Sequence, residues 1–153
     1  MKKLLFVALL LVASTSYAQD GYIELLRSDL RTEKIAIVTD VMQLSGEQSE
    51  EFWKVYKDYD HEMSKVNDLR VALIKDYAEN YERMTDEKAL EIIAKWSEFQ
   101  DKRMALRKQY FAKFLEVLPA TKAAKFMQLD HQISLLVDLQ IAAEIPLIPT
   151  EDD

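Results

Sequence analysis

The chain has 153 residues and a formal charge of −7, with two Gly, three Pro and no Cys. So few turn-formers cannot punctuate a sandwich or barrel, or build Gly-rich phosphate loops, which leaves an all-α chain. The lack of Cys removes disulfide scaffolds, thiolate zinc sites and Cys nucleophiles, and the acidic balance argues against nucleic acid and anionic membrane surfaces as partners.

Residues 1–18 have the layout of a secretory signal peptide. Lys2 and Lys3 form a charged start, Leu4 to Ala13 is an unbroken apolar run, and Ser16 and Ala18 put small residues at −3 and −1 from a cleavage point. The run falls well short of the roughly 20 apolar residues a membrane span needs, so no transmembrane span is expected in the mature protein. No Cys follows to carry a lipid anchor. Cleavage after Ala18 would send the chain to the cell envelope, and losing the two Lys takes its formal charge from −7 to −9. The expected organisation is a signal peptide over 1–18, one helical domain over 19–144, and a tail over 145–153 that is apolar and then acidic.

From about Tyr22 to Gln43, Ile23, Leu26, Leu30, Ile35, Val38 and Met42 recur at helical spacing. The stretch Leu44 to Gln48 ends this helix and starts another, and Ser45 with Gln48 three residues on predicts a capping box. The second helix should run without Gly or Pro to about Tyr81, with Phe52, Val55, Tyr56, Tyr59, Met63, Val66, Leu69, Leu73 and Tyr77 inward. Trp53 and Val71 lie off that stripe on a shared flank, as candidate contact residues. At about 1.5 Å per residue such a helix is about 54 Å long, more than the roughly 35–40 Å diameter of a globule this size. An elongated molecule is expected.

Thr85 is the predicted N-cap of a third helix reaching about Val117, with Asp86 and Glu87 placed to favour its dipole. Its main stripe is Ala89, Ile92, Trp96, Phe99, Leu106, Tyr110, Phe114 and Val117, and a second set, Leu90, Ile93, Met104, Phe111 and Leu115, falls on the adjoining flank. Together they cover an arc of about 200°, twice what one packed face needs. Leu118-Pro119 breaks the chain before a fourth helix, about Ala120 to Ala143, which buries Ala123, Phe126, Ile133, Val137 and Ile141 and leaves Leu135 and Leu139 outside its stripe. The predicted fold is an all-α, elongated hairpin of long antiparallel helices with flanking N- and C-terminal helices. The surplus apolar groups Ile93, Phe111, Leu115, Leu135 and Leu139 predict a homodimer, since a two-fold pair covers both patches at once.

Chemistry is sparse. His61 and His131 are the only histidines, and His61 falls among Lys54, Lys57 and Lys65, which repel cations. A zinc site wants three or four convergent ligands, and no HxxxH or HExxH spacing occurs. The scattered Met residues read as core, and no Ser/His/Asp order or Gly-flanked nucleophile is present. No metal, cofactor or enzymatic activity is expected.

Two segments echo each other: Leu44, Ser45, Gln48 and Phe52, then Leu118, Lys122 and Phe126. In each, Leu is followed by a polar residue at +4 and Phe at +8, at the start of a helix. This layout resembles the paired LTxxQ segments of the Spy and CpxP family of periplasmic helical proteins and their metal-sensing and sigma-factor-linked relatives. The first copy carries Ser for Thr, and the second departs at its polar positions. The resemblance implies a periplasmic helical hairpin that dimerises into a curved cradle. It implies binding of unfolded or envelope proteins as an ATP-independent chaperone in envelope stress, or alternatively a sensor or regulatory accessory of an envelope signalling system. The family's holding surface is basic, whereas this mature chain is acidic.

Overall fold

A computed structural model describes residues 31–150. The proposed signal peptide, the start of the first predicted helix and the acidic terminus lie outside the described residues. Every regular element among the described residues is helical. None of these helices is long and apolar enough to cross a membrane. The chain divides into two units, Met1–Gln43 and Leu44–Asp153.

In the first unit, residues 31–42 form helix α1. Val38 and Met42, one turn apart, are buried, while Ile35 and Ile37 are exposed. Gln43 closes α1 in the left-handed region at φ 46°, its N–H still donating to the Thr39 carbonyl at 3.2 Å.

The second unit is a three-helix arrangement of α2 (Gly46–Asn80), α3 (Asp86–Val117) and α4 (Ala120–Glu144), with a 3-10 turn at Tyr81–Arg83. The two long helices pack together as a hairpin. Their antiparallel register is fixed by Asp76 opposite Lys88 near the turn, Tyr59 opposite Tyr110 midway, and Phe52 opposite Phe114 at the far end. After Pro119, α4 folds back along both. Its Phe126 meets Phe114, its Asp130 meets Arg107, and its Asp138 meets Arg70 and Arg103. The core follows the predicted periodicity through Phe52, Tyr56, Tyr59, Met63 and Tyr77 on α2, Ile92, Phe99, Tyr110 and Phe114 on α3, and Ala123 and Phe126 on α4.

Three local expectations are corrected. Ser45 occupies the N-cap position of α2, but its side chain makes no capping bond, and Gln48 turns away to accept from Lys122. Gly46 instead opens the helix at φ 60°, a conformation that costs glycine nothing. Thr85 does cap α3, its hydroxyl oxygen accepting from the Lys88 N–H at 3.2 Å. Trp96, predicted inward, is 51% exposed. It shares a face with Arg107 and Phe114, which α4 covers, but the antiparallel register brings the last turn of α4 opposite Trp96, where the cover runs out. Leu69 is also exposed: it lies at the edge of the inward arc of α2, and Arg70 takes the place nearer its centre.

Candidate functional site

The two echoed segments, more than seventy residues apart in sequence, meet at one end of the three-helix unit. The Lys122 ammonium donates to Gln48 Oε1 at 2.6 Å. Phe52 and Phe126 stand edge to face with ring centroids 5.1 Å apart. Phe114 completes the cluster, 5.5 Å from Phe52 and 4.6 Å from Phe126. These spacings suit the aromatic quadrupole, which favours tilted and edge-on pairs. Phe52, Phe114 and Phe126 are fully buried, Leu118 is buried beside them in sequence, and Leu44 is half-buried. The motif residues therefore form a packed aromatic end rather than an open site. Trp53 flanks it, its ring 5.1 Å from Phe52 and 5.0 Å from Tyr56. Val71 is half-buried some 18 residues farther along α2, about 27 Å away by helical rise, so Trp53 and Val71 are not brought together.

Midway along the unit lies a feature the sequence reading missed. The Asp130 carboxylate, 1% exposed, accepts from the Tyr59 hydroxyl at 2.7 Å and from Arg107 Nε at 3.3 Å. Arg107 also donates through Nη2 to the Ser134 hydroxyl at 2.7 Å, and that hydroxyl donates to the Asp130 carbonyl at 2.8 Å. Burial, then the neighbouring Asp130 charge, push the Tyr59 hydroxyl far above its ordinary pKa, so it stays a donor. Two turns along α4, Asp138 accepts from Arg70 at 2.6 Å and from Arg103 at 2.8 and 3.0 Å. Both guanidinium groups lie near the Phe99 ring, at 5.7 and 5.1 Å from its centroid. The signal was present in the sequence. Arg70, Arg107 and Asp130 each fall where the 3.6-residue period places the core, and each is charged.

Outside, apolar residues remain uncovered. On α3, Leu90, Ile93, Met104 and Leu115 are exposed, and Phe111 is half-buried. Counted at 100° per residue, these five fall within about 60° of one another. On α4, Leu135, Leu136 and Leu139 are exposed on the side opposite Ala123, Phe126 and Asp130. The candidate interface residues thus stay largely open even with α4 folded onto the hairpin. His61 and His131 are both exposed, and among the described residues no group of three or more His, Asp or Glu side chains could hold a metal ion.

At the turn end, the Asp76 carboxylate joins Lys88 at 2.7 Å and Lys95 at 2.9 Å. Hydrogen bonding to Lys88 and then to Lys95 holds it below the usual carboxylate range. Tyr77 donates to the Pro146 carbonyl at 2.9 Å, tying the tail back to α2. Compared with protein-family models, curated proteins and solved structures, the chain matches none.

Proposed function

We propose that the chain is an exported protein-binding module of the Spy/CpxP type, acting in the periplasm as an ATP-independent chaperone and assembling as a homodimer. The observation that carries the reading is the uncovered apolar stripe of α3. Its Phe111 and Leu115 end is assigned to the two-fold contact, and Leu90 and Ile93, about 27 Å or more from Phe111 by helical rise, are left open for a client beside the outward leucines of α4. Such faces on an otherwise charged helical protein are suited to apolar segments of another chain. The aromatic end, where the LTxxQ-like segments meet, supports a structural role for that motif: it joins α4 to the hairpin and so fixes which faces remain outward. With an acidic chain, holding rests on these apolar side chains rather than on a basic surface.

The test is suppression of aggregation of an unrelated unfolding protein, without ATP, by the mature chain. Light scattering should fall in proportion to added chain, and Ile93→Asp with Leu90→Asp should abolish the effect while helical circular dichroism is retained. No suppression by the unaltered chain, with one defined envelope protein copurifying instead, would replace this reading with the signalling accessory. Sedimentation at micromolar concentration should give twice the chain mass, reduced to one chain by Phe111→Asp. Mass spectrometry of the exported protein should begin at Gln19.

A further inference from the structure

The distal half of α4 is attached to the hairpin by a different physics from its proximal half. From Ala120 to Asp130 it buries Ala123 and Phe126 against the aromatic end. Beyond Asp130 it buries no residue: Ile133, Val137 and Ile141 are only half-covered, and Leu135, Leu136 and Leu139 face outward, Leu136 at 64% exposure. Polar contacts hold this half instead, Arg107 to Ser134 and Arg70 with Arg103 to Asp138, followed by the Tyr77 bond to Pro146. A helix segment that presents its carboxylate inward and its leucines outward gains little from apolar burial where it sits. Elements with few buried apolar contacts open locally while the rest of the fold holds.

We propose that residues 131–144 form a strap that releases as a unit from the hairpin and unwinds, since a detached helix of about 14 residues is marginal in water, while Asp130 and the aromatic end stay closed. Release withdraws the Asp138 carboxylate and uncovers the Phe99 ring with Arg70 and Arg103 beside it. Asp138 is the latch, because its one carboxylate accepts from both the Arg70 and the Arg103 guanidinium groups. The inference stands on these contacts alone and is independent of the binding function proposed above.

Hydrogen exchange on the full chain, read by peptide, tests it. Amides of 131–144 should share one protection factor, lower than those of 120–130 and of the α2–α3 core. Asp138→Asn should speed exchange in 131–144 by about tenfold, the scale of losing a charge-assisted hydrogen bond, and leave the other segments unchanged. Raising NaCl from about 0.1 M to about 1 M, which shortens the screening length from about 10 to about 3 Å, should act in the same direction on the unaltered protein. That arm keeps the test open if the variant folds poorly. Because the chain holds no Cys, Val137→Cys gives a second readout: its thiol should label faster when Asp138→Asn is added. Protection of 131–144 equal to the core would overturn the proposal. So would exchange graded smoothly from the C-terminus and indifferent to salt and Asp138→Asn, which is simple fraying. Acceleration spread evenly over all three helices would also overturn it, since α4 would then open only with the whole unit.

Discussion

Tyr59 and Asp130, 71 residues apart in sequence, share a buried hydrogen bond of 2.7 Å that joins the middle of α2 to the middle of α4. Arg107 of α3 reaches the same carboxylate oxygen, so one atom is common to all three helices. Removing the carboxylate leaves Arg107, 7% exposed, as a buried charge that has lost its ion-pair partner. Asp130→Ala should therefore cost about 3–5 kcal/mol. Replacing both charges, Asp130→Leu with Arg107→Met, should cost clearly less than the single change, because no buried charge is then stranded. Urea unfolding of the three proteins checks the order, and a double variant less stable than Asp130→Ala would contradict it.

The Tyr59 hydroxyl predicts a loss of stability in alkali. Its folded-state pKa is raised, by burial first and the Asp130 charge second, above the ordinary value of 10. Below that value both states hold the proton and the contribution is whole. Above it the unfolded chain releases a proton that the folded chain keeps, so stability falls as pH rises, by about 1.4 kcal/mol per pH unit for this group. Tyr59→Phe should lose about 1 kcal/mol near neutrality and show a shallower decline above about pH 10. Denaturant midpoints measured at intervals from pH 8 upward decide it, and parallel curves for the two proteins would count against the assignment.

The helix starts should respond unequally. Thr85→Ala removes a formed cap and should cost about 1 kcal/mol, whereas Ser45→Ala removes a side chain that caps nothing and should cost no more than a few tenths of a kcal/mol. Gly46→Ala meets no neighbouring atom, yet it must hold φ at 60°, and should cost about 1 kcal/mol from conformation alone. Thermal melts of the three variants give the ranking, and it is the reverse of what the capping-box pattern at Ser45 suggests.

The paired motif segments should divide by burial rather than by motif membership. Phe126→Ala empties a site in contact with Phe52, Tyr56, Tyr59 and Phe114 and should cost about 3–5 kcal/mol. Lys122→Ala removes a partly buried contact to Gln48 and should cost less than about 1 kcal/mol. Equal losses for the two, measured by urea unfolding, would show that the polar position of the motif carries weight beyond its contact.

Periodicity placed the helices because three- and four-residue apolar spacing is a property of each segment alone. That is why Thr85, Val117 and Pro119 mark boundaries in sequence and structure alike. The position of Trp96 was not legible in this way, since its exposure depends on where another helix ends. The polar seam was harder still. Arg107 and Asp130 interrupt two separate stripes, and only their meeting in space turns two local exceptions into one ion pair, while Arg70 interrupts a third stripe and meets Asp138 instead. The echo between Leu44–Phe52 and Leu118–Phe126 was visible as a pattern. That the two copies touch was not, because contact between them requires the turn at Tyr81–Arg83 and the break at Pro119 together.

The two ends of the three-helix unit also differ in the length of chain that must be closed to make them. Asp76 and Lys88 meet across about a dozen residues, whereas Gln48 and Lys122 meet across 74. By the logarithmic dependence of loop entropy on length, the second closure costs about 1.6 kcal/mol more than the first if made from an open chain. Once Asp76 and Lys88 have joined, each further pairing up the hairpin closes only a short additional loop. The order of assembly that follows starts at the ionic turn and zips toward the aromatic rings, with Phe126 arriving last. Substitutions at the turn end should accordingly slow folding, and those at Phe126 should chiefly hasten unfolding.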